Sequence, residues 1–279
     1  MAPDGTSQAP SSDVLAPLAP GPLRRIGHGS LMVDIAPEAG GRVAQVMFDG
    51  VAWLVDYGPD NTAAIAWGSF PMLPWAGRVR HGAFDFHGPR QLPVNLGEHA
   101  IHGVGLLLPW QVDTHSATHV DLSLALPRDA RWPFGGRAHQ RIEVGERHLQ
   151  MTLSASADEQ AMPVTLGWHP WFVKPDRLDF HPSRYYPRDA EGMAHLPLAA
   201  PPPGPWDDCF VNDRPVVLTR GSQRLRLTSN CDHWVVYDQP AHATCAEPQS
   251  GPPDAFNLGL AQVLEPGATA SAWYRLEWD

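Results

Sequence analysis

The sequence predicts an all-β fold built as packed antiparallel sheets. Three observations carry that prediction. Apolar residues recur with period two in one short segment after another. Gly and Pro punctuate the chain between those segments. No stretch keeps an amphipathic period of 3.6 for three turns.

The segments follow in order. Residues 1–23 (MAPDGTSQAPSSDVLAPLAPGPL) are rich in Ala, Pro and Ser. They hold too little apolar surface to offset the entropy of ordering, so a mostly disordered tail, or one draped on the body, is expected there. Strands are expected at 30–35 and 43–48, parted by the turn-forming Pro37-Glu38-Ala39-Gly40-Gly41. Residues 120–126 alternate Val and Leu with Asp, Ser and Ala, the pattern of a half-buried strand. Residues 148–157 alternate again. Residues 216–218 and 224–228 read as a hairpin around Gly221-Ser222. The chain closes on 270–278, with Ala270, Ala272, Tyr274, Leu276 and Trp278 on one face. No repeat and no break in composition divides 24–279, so one large β-sandwich domain is expected over those residues.

Composition narrows the function. A formal net charge of −10 with few Lys argues against nucleic acid, whose phosphates need clustered cations. No apolar run approaches the roughly 18 residues of a membrane-spanning helix. The first residues lack the basic and apolar regions of a secretory signal. Cys209, Cys231 and Cys245 are an odd set at wide spacing, which suits reduced thiols in the cytoplasm. Eleven Trp suit an aromatic-lined surface for a small neutral partner such as a sugar.

Four stretches could carry chemistry. Glu247 ends an apolar run and precedes Pro248, which holds it extended, so it reads as the last residue of a strand aimed at a loop-built cleft. Arg78 follows Pro74-Trp75-Ala76-Gly77, where its five-donor fork suits paired hydroxyls, carboxylates or phosphates. His102 sits in Ile101-His102-Gly103, where glycine permits close backbone approach. His169 lies in Leu166-Gly167-Trp168-His169-Pro170-Trp171, an apolar run at a Gly/Pro bend that can shift an imidazole pKa. Asp207 and Asp208 are a weaker pair after a Pro-rich loop. None of the spacings is a metal motif, and no phosphate loop or GxSxG elbow occurs. Cys245 lies two residues before Glu247, but nothing near it in sequence marks an activated thiol. One carboxylate, two histidines and an arginine suit proton transfer on a polyhydroxylated neutral molecule. They do not by themselves select a reaction.

Taken together and in this order, these stretches resemble the aldose 1-epimerase (galactose mutarotase-like) family. The resemblance covers Pro37 to Gly41, Pro-Trp-Ala-x-Arg-Val at 74–79, Ile-His-Gly at 101–103, and Gly-Trp-His-Pro-Trp-Phe at 167–172. It continues through Glu-Pro and Pro-Asp-Ala-Phe-Asn within 247–257 and ends on Leu264-Glu265-Pro266-Gly267. It implies a β-supersandwich of large antiparallel sheets with an open sugar cleft, and interconversion of the α and β anomers of an aldose without a cofactor. By the same resemblance Glu247 is the general base, His169 the general acid and His102 a second active-site histidine. Arg78 binds the sugar, as does Asp207 or Asp208, with Asp207 matching better. Many relatives carry Asn where this chain has Gly77, which bears on sugar preference. Two alternatives stay open at this stage. One is an epimerase for an anionic (6-phospho or sulfo) hexose, drawing cations from Arg24, Arg25, Arg177, Arg184 or Arg188. The other is a non-catalytic carbohydrate-binding protein.

Overall fold

Period-two alternation becomes two large antiparallel sheets in a computed structural model that describes residues 13–279. The ten-stranded sheet runs Arg24–His28, Leu31–Ala36, Arg42–Phe48, Ser69–Met72, Gly167–Val173, Ala243–Gln249, His233–Tyr237, Asp207–Val211 and Arg184–Tyr186, with Val51–Ala52 attached to Arg42–Phe48. The eight-stranded sheet runs Gln111–His115, His119–Ala125, Arg137–Val144, His148–Ser156, Thr269–Trp278, Gln223–Ser229, Val216–Arg220 and Arg177–Asp179. Among the described residues the helical elements are the four-residue Ala255–Leu258 and a 3-10 turn at Arg80–Gly82.

One main core fills the space between the sheets. Leu149, Met151 and Leu153 project into it from one strand; Ala272, Tyr274, Leu276 and Trp278 project from its neighbour. From the ten-stranded sheet come Trp168, Phe172, Phe210, Trp234, Val236 and Ala246. Side chains alternate across a strand. In the ten-stranded sheet, the odd-numbered positions of the strands that carry Trp168, Phe210, Trp234 and Ala246 therefore face away from the core.

The expected tail divides in two. Residues 1–12 lie outside the described residues. Residues 13–23 are not disordered but draped on the body. They are laid on the domain by backbone hydrogen bonds from Leu18 N–H to Thr62 O (2.9 Å), from Ala64 N–H to Ala16 O (2.9 Å) and from Ile65 N–H to Val14 O (3.1 Å). Val14 is fully buried with Phe70, Met72 and Ala76. One well-seated apolar side chain and a short ladder suffice to order a segment whose composition alone would leave it loose.

Two further pairings place the site. The strand Arg78–Val79 pairs with Ala100–Ile101, Arg78 opposite Ile101, and His102 N–H donates to Gly77 O at 2.9 Å. Stretches 24 residues apart in sequence thereby lie side by side above the outer face of the large sheet.

Candidate active site

Register alone assembles most of the site. Trp171 pairs with Cys245, Gly167 with Gln249, and Phe70 with His169. Val235 pairs with Glu247, Tyr237 with Cys245, and Asp207 with Tyr237. Directly paired residues share a sheet face. His169, Trp171, Glu247, Gln249, Val235, Tyr237 and Asp207 therefore project together from the outer face. They line a cavity of about 230 Å³, closed on its other side by Arg78, Leu96, Ile101 and His102.

This corrects two sequence readings. Glu247 is not the last residue of its strand, and its cleft is floored by a sheet rather than built of loops. The strand Ala243–Gln249 carries on for two residues beyond it, with Pro248 opposite Trp234. His169 likewise stands within the strand Gly167–Val173 and not at a bend. Proline fixes an extended backbone, and at Pro170 and Pro248 that backbone continues the sheet.

His169 is held by rings. Phe70 stacks on one side at 4.8 Å between centroids and Trp171 on another at 5.3 Å, while His102 meets it edge-on at 5.1 Å. Trp171 is itself anchored by its indole N–H donating to Ile65 O at 2.7 Å. The imidazole Nε2 lies 3.4 Å from Glu247 Oε1. Gln249 Nε2–H donates to the other carboxylate oxygen at 3.3 Å.

Burial sets the protonation of this couple. It pushes the Glu247 carboxyl well above the usual carboxylate range, with the nearby Asp207 charge adding to it. It pulls His169 down to about 3, while the ring's own backbone carbonyl opposes the fall and Arg42 and Arg78 reinforce it. Burial thus works against charge on both residues, and passing one proton from Glu247 to His169 turns the neutral pair into a carboxylate beside an imidazolium. Such a couple can give a proton at one point and take one at another.

Arg78 closes the cavity from the opposite side, and its guanidinium has no hydrogen-bond or salt-bridge partner within the described protein. Its backbone is fixed by Asp254. Asp254 N–H donates to Arg78 O at 2.6 Å, and the Asp254 carboxylate accepts from Arg80 N–H at 2.9 Å. Asn257 steadies that carboxylate at 2.7 Å. The Pro-Asp-Ala-Phe-Asn stretch is therefore the clamp that presents Arg78, a role that sequence reading did not assign. Asp254 adopts a left-handed backbone, φ 64, a conformation Asp tolerates better than most residues.

His102 also has a left-handed backbone, φ 60. Gly77 N–H donates to its Nδ1 at 3.3 Å, so Nε2 carries the proton of the neutral ring. Burial holds that ring well below its ordinary pKa, and the neighbouring His169 and Arg78 push the same way. Gly77 fits for a steric reason. Its φ is +69, and a Cβ there would stand 2.9 Å from Pro253 Cα.

The two aspartates separate by strand alternation. Asp207 lines the cavity and pairs with Arg188 at 2.7 Å. Asp208 pairs with Val236, whose side chain is in the core, and so projects from the opposite face. Of the tryptophans suited to stacking on a sugar, Trp171 lines the cavity; Trp53, Trp67, Trp132, Trp168, Trp234 and Trp278 are fully buried elsewhere. Arg42 escaped sequence reading altogether. It is completely buried, donates to the carbonyls of Ala39, Ala64, Trp67 and Leu106, and lies 5.1 Å from the Phe70 ring that supports His169.

The class of protein is a sandwich of large antiparallel sheets that carries a buried His169–Glu247 couple on the outer face of one sheet. The chain belongs to the aldose 1-epimerase family, whose profile matches residues 22–277. Curated relatives include YihR of Escherichia coli K12, an uncharacterized protein 28% identical over 259 residues, covering 81% of this chain and 83% of that one. YphB of the same organism, also uncharacterized, is 31% identical over 152 residues, 53% of this chain and 50% of its own length. The fold is shared with a solved putative aldose 1-epimerase from Escherichia coli K12, with TM-score 0.81, 21% identity and coverage of 92% and 99%. A galactose mutarotase-like protein from Clostridium acetobutylicum also superimposes with TM-score 0.81, at 16% identity and coverage of 91% and 94%.

Proposed function

We propose that this chain interconverts the α and β anomers of a neutral aldose such as galactose or glucose. The observation that carries the reading is the 3.4 Å approach of His169 Nε2 to Glu247 Oε1 on one wall of a sugar-sized cavity, with the unpaired Arg78 opposite. Glu247 takes the proton of the anomeric O1 hydroxyl while His169 protonates the ring oxygen O5. The C1–O5 bond opens to the free aldehyde. Rotation about C1–C2 presents the other carbonyl face, and the roles reverse as the ring closes. Each placed acid or base contributes about 10²–10⁴-fold. His102 Nε2–H and the Arg78 fork donate to ring and hydroxyl oxygens, and Asp207 accepts from a hydroxyl.

Charge in the cavity favours a neutral sugar over a phosphorylated or sulfonated one. Arg78 is the one arginine or lysine among the described residues lining the cavity, and Asp207, which lines it too, already pairs with Arg188. Arg25 pairs with Asp34 and Arg177 with Asp179. Neither these two nor Arg24 and Arg184 line the cavity. A binding module without activity would gain nothing from an acid and a base 3.4 Å apart. Three free, buried cysteines support a reducing, cytoplasmic setting.

Polarimetry with freshly dissolved α-glucose and α-galactose tests the proposal. Catalysed decay of rotation is expected, faster for neutral hexoses than for their 6-phosphates. Binding without acceleration would mark a carbohydrate-binding module instead.

A further inference from the structure

Cys245 is a free, buried thiol beside the His169–Glu247 couple, and the exchange reaction proposed above does not use it. Strand register puts it there. It lies opposite Trp171 and two residues before Glu247, so its sulfur shares their sheet face. A ring nitrogen of His169, the Cys245 sulfur and a Glu247 carboxylate oxygen all lie within 4.8 Å of one another. Sequence spacing could not reveal this group, since His169 comes from a different strand.

The three atoms suit a tetrahedral ion. With bonds of about 2.0–2.1 Å to nitrogen or oxygen and about 2.3 Å to sulfur, neighbouring ligand atoms of such an ion stand roughly 3.3–3.7 Å apart. The separation of His169 Nε2 from Glu247 Oε1 is already 3.4 Å. Mixed nitrogen, sulfur and oxygen donors select a borderline-soft ion of the zinc class. Magnesium and calcium need an all-oxygen shell of six or more ligands. Three protein ligands leave a fourth position for water or for a sugar hydroxyl.

We infer that His169, Cys245 and Glu247 form a binding site for a zinc-class divalent cation, and that the bound ion switches anomer exchange off. The ion forms bonds to sulfur, nitrogen and oxygen and takes no part in electron transfer. The thiol proton, and any proton held by the carboxyl, pass to solvent. Occupied in this way, neither Glu247 nor His169 can exchange protons with a sugar. The switching half of the inference rests on the function proposed above; the binding half does not.

The test uses the full chain, reduced and stripped of metal. Calorimetric titration with Zn²⁺ should show one tight site per chain, and Co²⁺ should give a thiolate-to-metal charge-transfer band. Cys245→Ala and Cys245→Ser should weaken Zn²⁺ at least 100-fold and abolish that band, with Cys209 and Cys231 still present. Each protein's exchange rate with Zn²⁺ is compared with its own rate in chelator. Stoichiometric Zn²⁺ should suppress the wild type at least tenfold, chelator should restore it, and Mg²⁺ should do neither. Zinc affinity unchanged in both variants, or a wild type that binds no Zn²⁺, would overturn the site. Tight binding that leaves the wild-type rate unaffected would overturn the switch. A wild type without exchange activity would overturn the proposed function, while the titration would still decide the site.

Discussion

Gly77 N–H donates to His102 Nδ1 across 3.3 Å, and this single contact decides which histidine nitrogen faces the cavity with a proton. His102→Asn keeps an acceptor where Nδ1 stood and tolerates the left-handed backbone of φ 60, but it removes the Nε2 donor. A hydrogen bond to a group gaining charge is worth about 1.5–3 kcal/mol, so kcat/KM should fall roughly 10- to 100-fold. Circular dichroism should stay that of the wild type. An unchanged kcat/KM would take His102 out of the site.

Gly77 should resist replacement. At φ +69, with a Cβ placed 2.9 Å from Pro253 Cα, Gly77→Ala combines backbone strain with a clash against fixed backbone. A loss of about 1–3 kcal/mol is expected in urea denaturation. Wild-type stability in that variant would contradict this packing of the 252–253 loop.

Arg42 should be needed for folding, although it never meets substrate. Burial lowers its pKa to about 9, so it remains charged at neutral pH. Four backbone carbonyls depend on it. Arg42→Met leaves them without a donor, at about 1–3 kcal/mol for each group that finds no replacement. Loss of more than about 3 kcal/mol in denaturant titration is expected. A smaller change would mean that water fills the gap.

The buried histidines predict a sign for the acid limb of stability. His169 is pulled down to about 3, and His102 is pulled well below its ordinary value. An unfolded histidine protonates near ~6.5, so below that pH the unfolded chain binds protons the native one refuses. Their contribution is complete above about 6.5 and drains away as pH falls toward about 3. Glu247, raised by burial, works in the other sense. Its contribution is full below an ordinary carboxylate pKa of about 4.3 and is lost as pH rises through the raised value. His102→Asn should therefore flatten the fall in melting temperature below about pH 6.5, measured in chelator. Parallel curves for the two proteins would contradict a neutral, buried His102.

The strand pattern was legible because burial on one face writes a period of two into the sequence. Residues 148–157 and 270–278 emerge as neighbouring strands, His148–Ser156 and Thr269–Trp278. Glu247, His169, His102 and Arg78 were legible as motifs, and all four meet at one cavity. What sequence could not show was register. Register places Cys245 beside His169, aims Asp207 at the cavity and turns Asp208 away. Clamps were equally hidden. Asp254 binds the backbone of Arg78 and Arg80 from more than 170 residues away, and no local pattern marks such a contact. Val14 was missed because one anchoring residue does not change the composition of a Pro/Ala-rich segment.

The Glu247→Gln variant tests the proton couple most directly. The amide keeps the shape of the carboxylate and can still accept from Gln249, but it cannot take the O1 proton. Anomer exchange, followed by polarimetry on fresh α-galactose and α-glucose in chelator, should drop by about 10²–10⁴-fold, with sugar binding and melting temperature retained. A Glu247→Gln rate within twofold of the wild type would contradict the account at its centre.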